Sequence, residues 1–181
     1  MKTLITDLPE RGDFISGYRT IEIGYPWLTT GAIMALELLL KPEFNVLELG
    51  SGGSTVFWAR RCKSVRSFET DPQWADKVRP QVEQYGNVKL TCGPMEKLLE
   101  EIRAEPDGYF DLALSDSSPY QASRPTLTMA IMPKIKPWGW LVIDNYSMWG
   151  MESFPYSEWN TFTFDDFAWM GRGTRICQKG Q

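Results

Sequence analysis

The sequence predicts an α/β fold: a mostly parallel, seven-stranded sheet closed by a C-terminal antiparallel hairpin, with helices on both faces. Three observations carry that prediction. Short apolar runs alternate with helical stretches over residues 27–143, the pattern of βα units feeding a parallel sheet. A glycine-rich turn, Gly50-Ser51-Gly52-Gly53-Ser54, stands directly between the first such run and a helix. The last two runs, residues 160–164 and 174–178, alternate polar and apolar side chains around a Gly-containing loop, as an antiparallel hairpin does.

The elements follow in order. Residues 1–25 are polar and irregular, an N-terminal segment or lid. Residues 27–40 (WLTTGAIMALELLL) read as a helix that Lys41-Pro42 ends, because proline disfavours a helical residue before it. Val46-Leu47-Glu48-Leu49 is a buried strand, then come the glycine turn, a helix over about 55–61 and a second strand at 65–68. Asp71 caps the next helix with Pro72 at its first position, where a missing N–H is harmless, and Gly86-Asn87 stops it. Residues 88–91 are a third strand. Residues 95–104 are an amphipathic helix with Leu98, Leu99 and Ile102 inward. A fourth strand at 110–114, a helix over about 125–134 and a fifth strand at 140–143 complete the series. No repeat or linker interrupts it, so 1–181 reads as one domain.

Composition narrows the chemistry. A net charge of −4 weighs against nucleic acid as partner, since that binding needs a basic face. There is no histidine, which removes the commonest general base and transition-metal ligand. Acid–base work falls to Asp, Glu, Tyr, Lys or Cys, and any metal would be oxygen-bound. Cys62, Cys92 and Cys177 are odd in number and widely spaced, and read as reduced thiols of a cytoplasmic protein. The start, MKTLITDLPERGDF, lacks the apolar core of a signal peptide, and no window holds the ~18 apolar residues of a membrane span.

The glycine turn places backbone N–H groups over a ligand: Gly50 lets the chain turn sharply, and Gly52 and Gly53 let a ligand approach the backbone. Thr55 stands where a dinucleotide fingerprint needs glycine, and no Gly-Lys-Ser/Thr of a phosphate loop is present. Glu48 suits a cationic amine better than a pyrophosphate. Glu69 ends the next strand, 19 positions after Gly50, close to the offset at which an acid grips ribose hydroxyls.

These residues, 46–55 (VLELGSGGST) and then Phe68-Glu69-Thr70-Asp71, resemble the first two motifs of class I S-adenosylmethionine-dependent methyltransferases, which have a Rossmann-like fold. With the upstream Tyr25-Pro26-Trp27-Leu28-Thr29, the chain is also similar to small bacterial and phage methyltransferase-like proteins. The resemblance implies S-adenosylmethionine as cofactor. Glu48, Gly50, Ser51, Gly52, Gly53, Ser54 and Thr55 would hold its methionine end, Glu69 and Thr70 its ribose, and Pro94 and Met95 would flank the adenine. Cys92-Gly93-Pro94 lacks the acidic residue frequent at that turn in the family, leaving adenine to backbone and apolar contacts.

Ligands of open α/β sheets lie at the carboxyl ends of the strands. Here those ends carry Asp116 and Tyr120 after strand four and Asp144-Asn145 after strand five. Asp116, Tyr120 and Asp144 are the candidate catalytic residues, with Asp116 also beside the cofactor, and the reading adopted needs no metal. Asp116, Asp144 and Asn145 resemble the Mg²⁺ ligands of catechol-type O-methyltransferases, but no lysine follows Asp116 as that group's base. Ser117-Ser118-Pro119-Tyr120 resembles a degraded Asp-Pro-Pro-Tyr motif of adenine amino-methyltransferases. Arg124 meets an anionic acceptor or caps a helix; the residues do not decide. The aromatic and methionine-rich stretch 146–158 is an acceptor-pocket segment, hairpin packing or a homodimer contact. The function expected is methyl transfer to a hydroxyl of a small molecule or saccharide. The alternatives are a non-catalytic S-adenosylmethionine-binding regulatory domain and an adenine N6-type methyltransferase acting on nucleic acid.

Overall fold

The computed structural model describes residues 17–117, 123–148, 150–152, 158–165 and 173–181. Helices α1 (Gly17–Ile23) and α2 (Thr30–Leu39) precede β1 (Asn45–Leu49), α3 (Gly53–Ala59), β2 (Ser64–Glu69), α4 (Pro72–Val82) and β3 (Val88–Cys92). Then follow α5 (Met95–Ala104), β4 (Phe110–Ser115), α6 (Ser123–Ile131), a 3-10 turn at Met132–Lys134, β5 (Ile135–Asp144), β6 (Trp159–Phe164) and β7 (Thr174–Lys179). The strands form one sheet in the order β3-β2-β1-β4-β5-β7-β6. β1 to β5 run parallel, and β7 lies antiparallel between β5 and β6. This is the expected sheet with its closing hairpin.

Alternation along each strand builds a core on both faces. Val46, Leu112, Leu114, Val142 and Ile176 meet Ile33, Leu36, Phe57 and Trp58 of α2 and α3. Leu47, Leu49, Ala113, Leu141 and Ile143 meet Leu98 and Ile102 of α5 and Leu127 and Ile131 of α6. Each large apolar side chain removed from water contributes roughly 1.5–3 kcal/mol, so the two layers clamp the sheet and fix where its strands end. A smaller cluster of Ile21, Val56, Val78 and Val82 ties α1 and α4 to α3.

Helices α3 and α6 begin two residues earlier than expected, and three elements differ more from the sequence reading. Helix α1 lies inside the segment expected to be irregular. Helix α2 starts at Thr30 rather than at Trp27, because Thr29 is extended (φ −62, ψ 147) and Leu28 and Trp27 pack on the core instead. Strand β5 starts five residues early, interrupted by a register shift opposite Phe110 and Leu112, with Trp138 in the left-handed region at φ 62. The three cysteines are free, and burial pushes the Cys62 thiol up to about 12. No helix among the described residues is long and apolar enough to cross a membrane. The strand order reverses between β1 and β4, which is where an open α/β sheet leaves a crevice.

Candidate active site

The glycine turn closes that crevice on one side. Gly50 has φ 88, a left-handed backbone open to glycine. A Cβ there would lie 2.3 Å from the Asp116 carbonyl oxygen, so the ends of β1 and β4 cross too closely for a side chain. Packing alone requires glycine at Gly53. Its Cβ would lie 2.2 Å from the Tyr25 carbonyl oxygen and 2.3 Å from that of Thr20, where the end of α1 presses on α3. Gly52 is different. Its backbone is extended, and among the described residues a Cβ would meet only the Trp74 ring within 4 Å, at 3.9 Å. Gly52 therefore marks the open side of the turn.

Most of the turn's N–H groups are satisfied inside the chain. Gly50 N–H donates to the Phe68 carbonyl (2.8 Å), Ser51 N–H to Glu69 Oε2 (2.9 Å) and Gly52 N–H to Thr55 Oγ1 (2.9 Å). The Trp74 indole N–H, on α4, donates to the Ser51 carbonyl at 2.6 Å and braces the turn from outside. The turn is held rigidly before any ligand arrives, which lowers the ordering cost of binding.

Two buried carboxylates flank it, and they differ in their partners. Glu48 is fully buried; its Oε2 accepts from Thr55 Oγ1 and Ser67 Oγ, both at 2.6 Å, and its Oε1 from the Trp58 indole at 3.0 Å. Burial pushes this carboxyl up to about 7, against the pull of hydrogen bonds from Ser54, Ser67, Thr55 and Trp58. Glu48, Ser54 and Thr55 thus form an internal anchor between β1, β2 and α3. Glu48 and Thr55, expected at the cofactor's methionine end, are thus engaged by partners within the chain.

Glu69 reaches across the turn. Its Oε2 accepts from Ser51 N–H (2.9 Å) and Ser51 Oγ (3.2 Å), and its Oε1 from the N–H groups of Thr70 (2.7 Å) and Asp71 (2.9 Å). The Thr70 hydroxyl also reaches Oε1, at 3.5 Å, and the Ser51 and Thr70 hydroxyls can each rotate away to admit a ligand hydroxyl in their place. The Gly93 N–H donates to the Glu69 carbonyl at 3.0 Å, which brings the turn bearing Pro94 and Met95 alongside. Pro94 is exposed, and Met95 is half-buried against the α5 side of the core.

The other wall is the ends of β4 and β5. Asp116 N–H donates to the Leu49 carbonyl (2.9 Å), locking β4 to β1 beside Gly50. Arg124, on the first turn of α6, sends Nη2 to Asp116 Oδ1 (3.1 Å), Nε to the Ser117 carbonyl (2.8 Å) and Nη1 to the Asp144 carbonyl (2.8 Å). Burial pushes the Asp116 carboxyl up to about 6, the Arg124 charge and hydrogen bond pulling down and Glu69 adding repulsion. Asp144 is raised well above the usual carboxylate range, by burial first and then by Asp116. Its Oδ1 accepts from Thr174 Oγ1 (2.8 Å), and the Asn145 side-chain amide donates to its Oδ2. Thr174 in turn accepts from the Thr29 N–H at 3.2 Å, ahead of α2. Asp144 thus ties the end of β5 to Thr174 and Asn145.

Asp116, Asp144 and Asn145 do come together, with Asp116 Oδ1 tied to Arg124 and both Asp144 oxygens engaged by Thr174 and Asn145. Among the described residues no group of three or more His, Cys, Asp or Glu side chains is arranged to hold a metal ion. Tyr120 lies outside the described residues, as do Trp149 and residues 153–157 of the acceptor-pocket segment. Of that segment, Met151 is buried in the core, and Tyr146 stacks under Arg175 (3.9 Å) with its hydroxyl on Asp165 (2.8 Å). Sequence reasoning missed Trp74 and Thr174 altogether, and left Arg124 undecided. Arginine in the first turn after strand four, where a macrodipole disfavours it, was the one available signal.

A crevice at the strand-order reversal, a braced glycine turn and an acid ending the second strand define the class I S-adenosylmethionine-dependent methyltransferase fold. The sequence model of the family described as "Methyltransferase domain" matches residues 47–146, and the chain belongs to that family. Solved structures of similar fold include an O-methyltransferase from Bacillus cereus in complex with SAH (TM-score 0.70, 17% identity, covering 96% of this chain and 93% of that one). The O-methyltransferase TomG from Streptomyces achromogenes, involved in tomaymycin synthesis and in complex with SAM, is similar at TM-score 0.67 and 15% identity, covering 96% and 92%. An rRNA methylase from Streptococcus thermophilus is similar at TM-score 0.62 and 16% identity, covering 81% and 92%. No curated protein matches the sequence.

Proposed function

We propose that this chain transfers the methyl group of S-adenosylmethionine to a hydroxyl of a small molecule or saccharide. The observation that carries the reading is the pairing of Gly52's open side with the Glu69 carboxylate across one braced turn. A cradle that a Cβ would fill suits a ligand lying against backbone, and a carboxylate beside it suits paired ribose hydroxyls. The residues present therefore fit the cofactor. Gly52 and Ser51 would take its methionine end, Glu69 and Thr70 its ribose, and Pro94 and Met95 its adenine. The bound cofactor supplies a methyl group on a sulfonium, activated for in-line displacement.

What remains for the chain is positioning and one proton. Asp116 stands at the end of β4 beside the turn, with Oδ1 tied to Arg124. Its Oδ2 takes the acceptor's proton, and a carboxyl titrating at about 6 is ionised at neutral pH yet basic enough to do so. Tyr120 is assigned to orienting the acceptor. In this reading residues 1–181 are one catalytic domain, 1–25 covering the site and 146–158 contributing to the acceptor pocket. Free thiols at all three cysteines fit a cytoplasmic setting.

The test is incubation of the protein with methyl-labelled S-adenosylmethionine and a metabolite extract, read by mass spectrometry. Label is expected on a hydroxyl of a low-mass or saccharide product. Label on DNA or RNA amino groups instead, falling steeply with salt, would replace this reading with the nucleic-acid one. Binding without any transfer would point to a regulatory domain.

A further inference from the structure

Arg124 is a buried cation at the acceptor end of the site, and methyl transfer as proposed above gives it no contact with the reacting atoms. Its residue is 3% exposed. Nε and Nη2 both donate to the Ser117 carbonyl (2.8 and 2.5 Å), Nη1 to the Asp144 carbonyl (2.8 Å) and Nη2 to Asp116 Oδ1 (3.1 Å). One guanidinium thus joins the end of β4 to the end of β5 and balances the Asp116 carboxylate. A divalent cation bound by Asp116, Asp144 and Asn145 would have to join the same places.

The donor set does not fit such an ion. Mg²⁺ needs near-octahedral oxygens at about 2.0–2.1 Å, with carboxylates free to reach it. Asp144 has both oxygens engaged, by Thr174 and by the Asn145 amide, and Asn145 points its N–H rather than an oxygen at that carboxylate. Asp116 already faces a fixed positive charge, which repels a second cation. Arginine keeps its proton at every physiological pH and presents its donors in a rigid fork.

We propose that Arg124 is a built-in counter-cation that replaces a divalent metal at this site, bridging the ends of β4 and β5 and positioning Asp116. The proposal rests on reading this crevice as a methyltransferase site. Arg124 is a positioning residue; it acts through Asp116 and the two strand ends. A chain carrying its own cation has a site complete without metal and indifferent to chelators.

The test titrates the whole chain, with S-adenosylhomocysteine present, with Mn²⁺, following free ion by electron paramagnetic resonance. The wild type is expected to bind no stoichiometric Mn²⁺, and EDTA should leave its calorimetric affinity for S-adenosylhomocysteine within about twofold. Arg124→Gln removes the charge and releases Asp116 Oδ1, so one Mn²⁺ should bind through the Asp116 carboxylate and water, and adding Asp116→Asn removes it. Stoichiometric Mn²⁺ on the wild type that Asp116→Asn abolishes overturns the proposal, and so does a folded Arg124→Gln chain that gains none. Should Arg124→Gln fail to fold by circular dichroism, the wild-type titration and its Asp116→Asn control decide alone. Failure of the wild type to bind S-adenosylhomocysteine would sink the methyltransferase reading separately, since the Mn²⁺ measurement does not depend on it.

Discussion

Glu48 and Glu69 carry the same carboxylate on neighbouring parallel strands, yet their surroundings give them different chemistry. Glu48 is enclosed beneath α3 with its carboxyl pushed up to about 7. Its ionisation is disfavoured in the fold, so its contribution to stability is full below pH 4.5 and is lost as pH rises through about 7. Over that window the wild type should lose on the order of 3 kcal/mol relative to Glu48→Gln, levelling off above it, as read by denaturant unfolding at a series of pH values. A difference that stays flat contradicts a buried proton. Asp116 offers the complementary case. Transfer should fall as pH drops through about 6, because the carboxylate that takes the acceptor's proton is then itself protonated. Asp116→Asn should keep cofactor affinity and lose at least about a hundredfold in rate; full retained activity moves the base elsewhere. How differently the two carboxylates are partnered was not legible in the sequence, since Glu48 and Glu69 each stand near the end of a short strand. The difference comes from Ser67 and Trp58 closing over one and Ser51 bridging to the other.

At the level of elements the sequence was far more informative. Strand and helix periodicity located β1 to β4, β6 and β7 to within a residue or two, and α5 over its full length, because alternation and amphipathic spacing are local. The Asp71-Pro72 start of α4 was equally readable: Asp71 accepts from the N–H groups of Gln73 (2.9 Å) and Trp74 (3.2 Å). Helix α1 was not, since GYRTIEI is short and its stability comes from packing on α3 rather than from propensity. The same contact explains Gly53, whose role in a glycine run is invisible until residues 20 and 25 are seen beside it. Gly53→Ala sets a Cβ within 2.3 Å of two backbone oxygens and should cost several kcal/mol, measurable as a fall in melting temperature. An unchanged midpoint would mean that α1 moves aside freely.

The whole molecule makes the site by topology. The strand order reverses between β1 and β4, and Gly50 and Asp116 are in backbone contact at that reversal. Residues from 48 to 174 converge there because every parallel strand delivers its carboxyl end to the same edge. The βα alternation foretold that convergence; it could not foretell that Arg124 and Thr174 would lock the far wall. Gly52 isolates the central claim from fold stability, being extended and, among the described residues, having no backbone atom beyond its chain neighbours within 4 Å of where a Cβ would stand. Gly52→Leu should leave the melting temperature within about 2 °C of wild type. In calorimetry the same variant should lose S-adenosylhomocysteine binding by at least about a hundredfold, some 3 kcal/mol. A folded Gly52→Leu chain that binds S-adenosylhomocysteine as tightly as the wild type would contradict the placement of the cofactor over this turn.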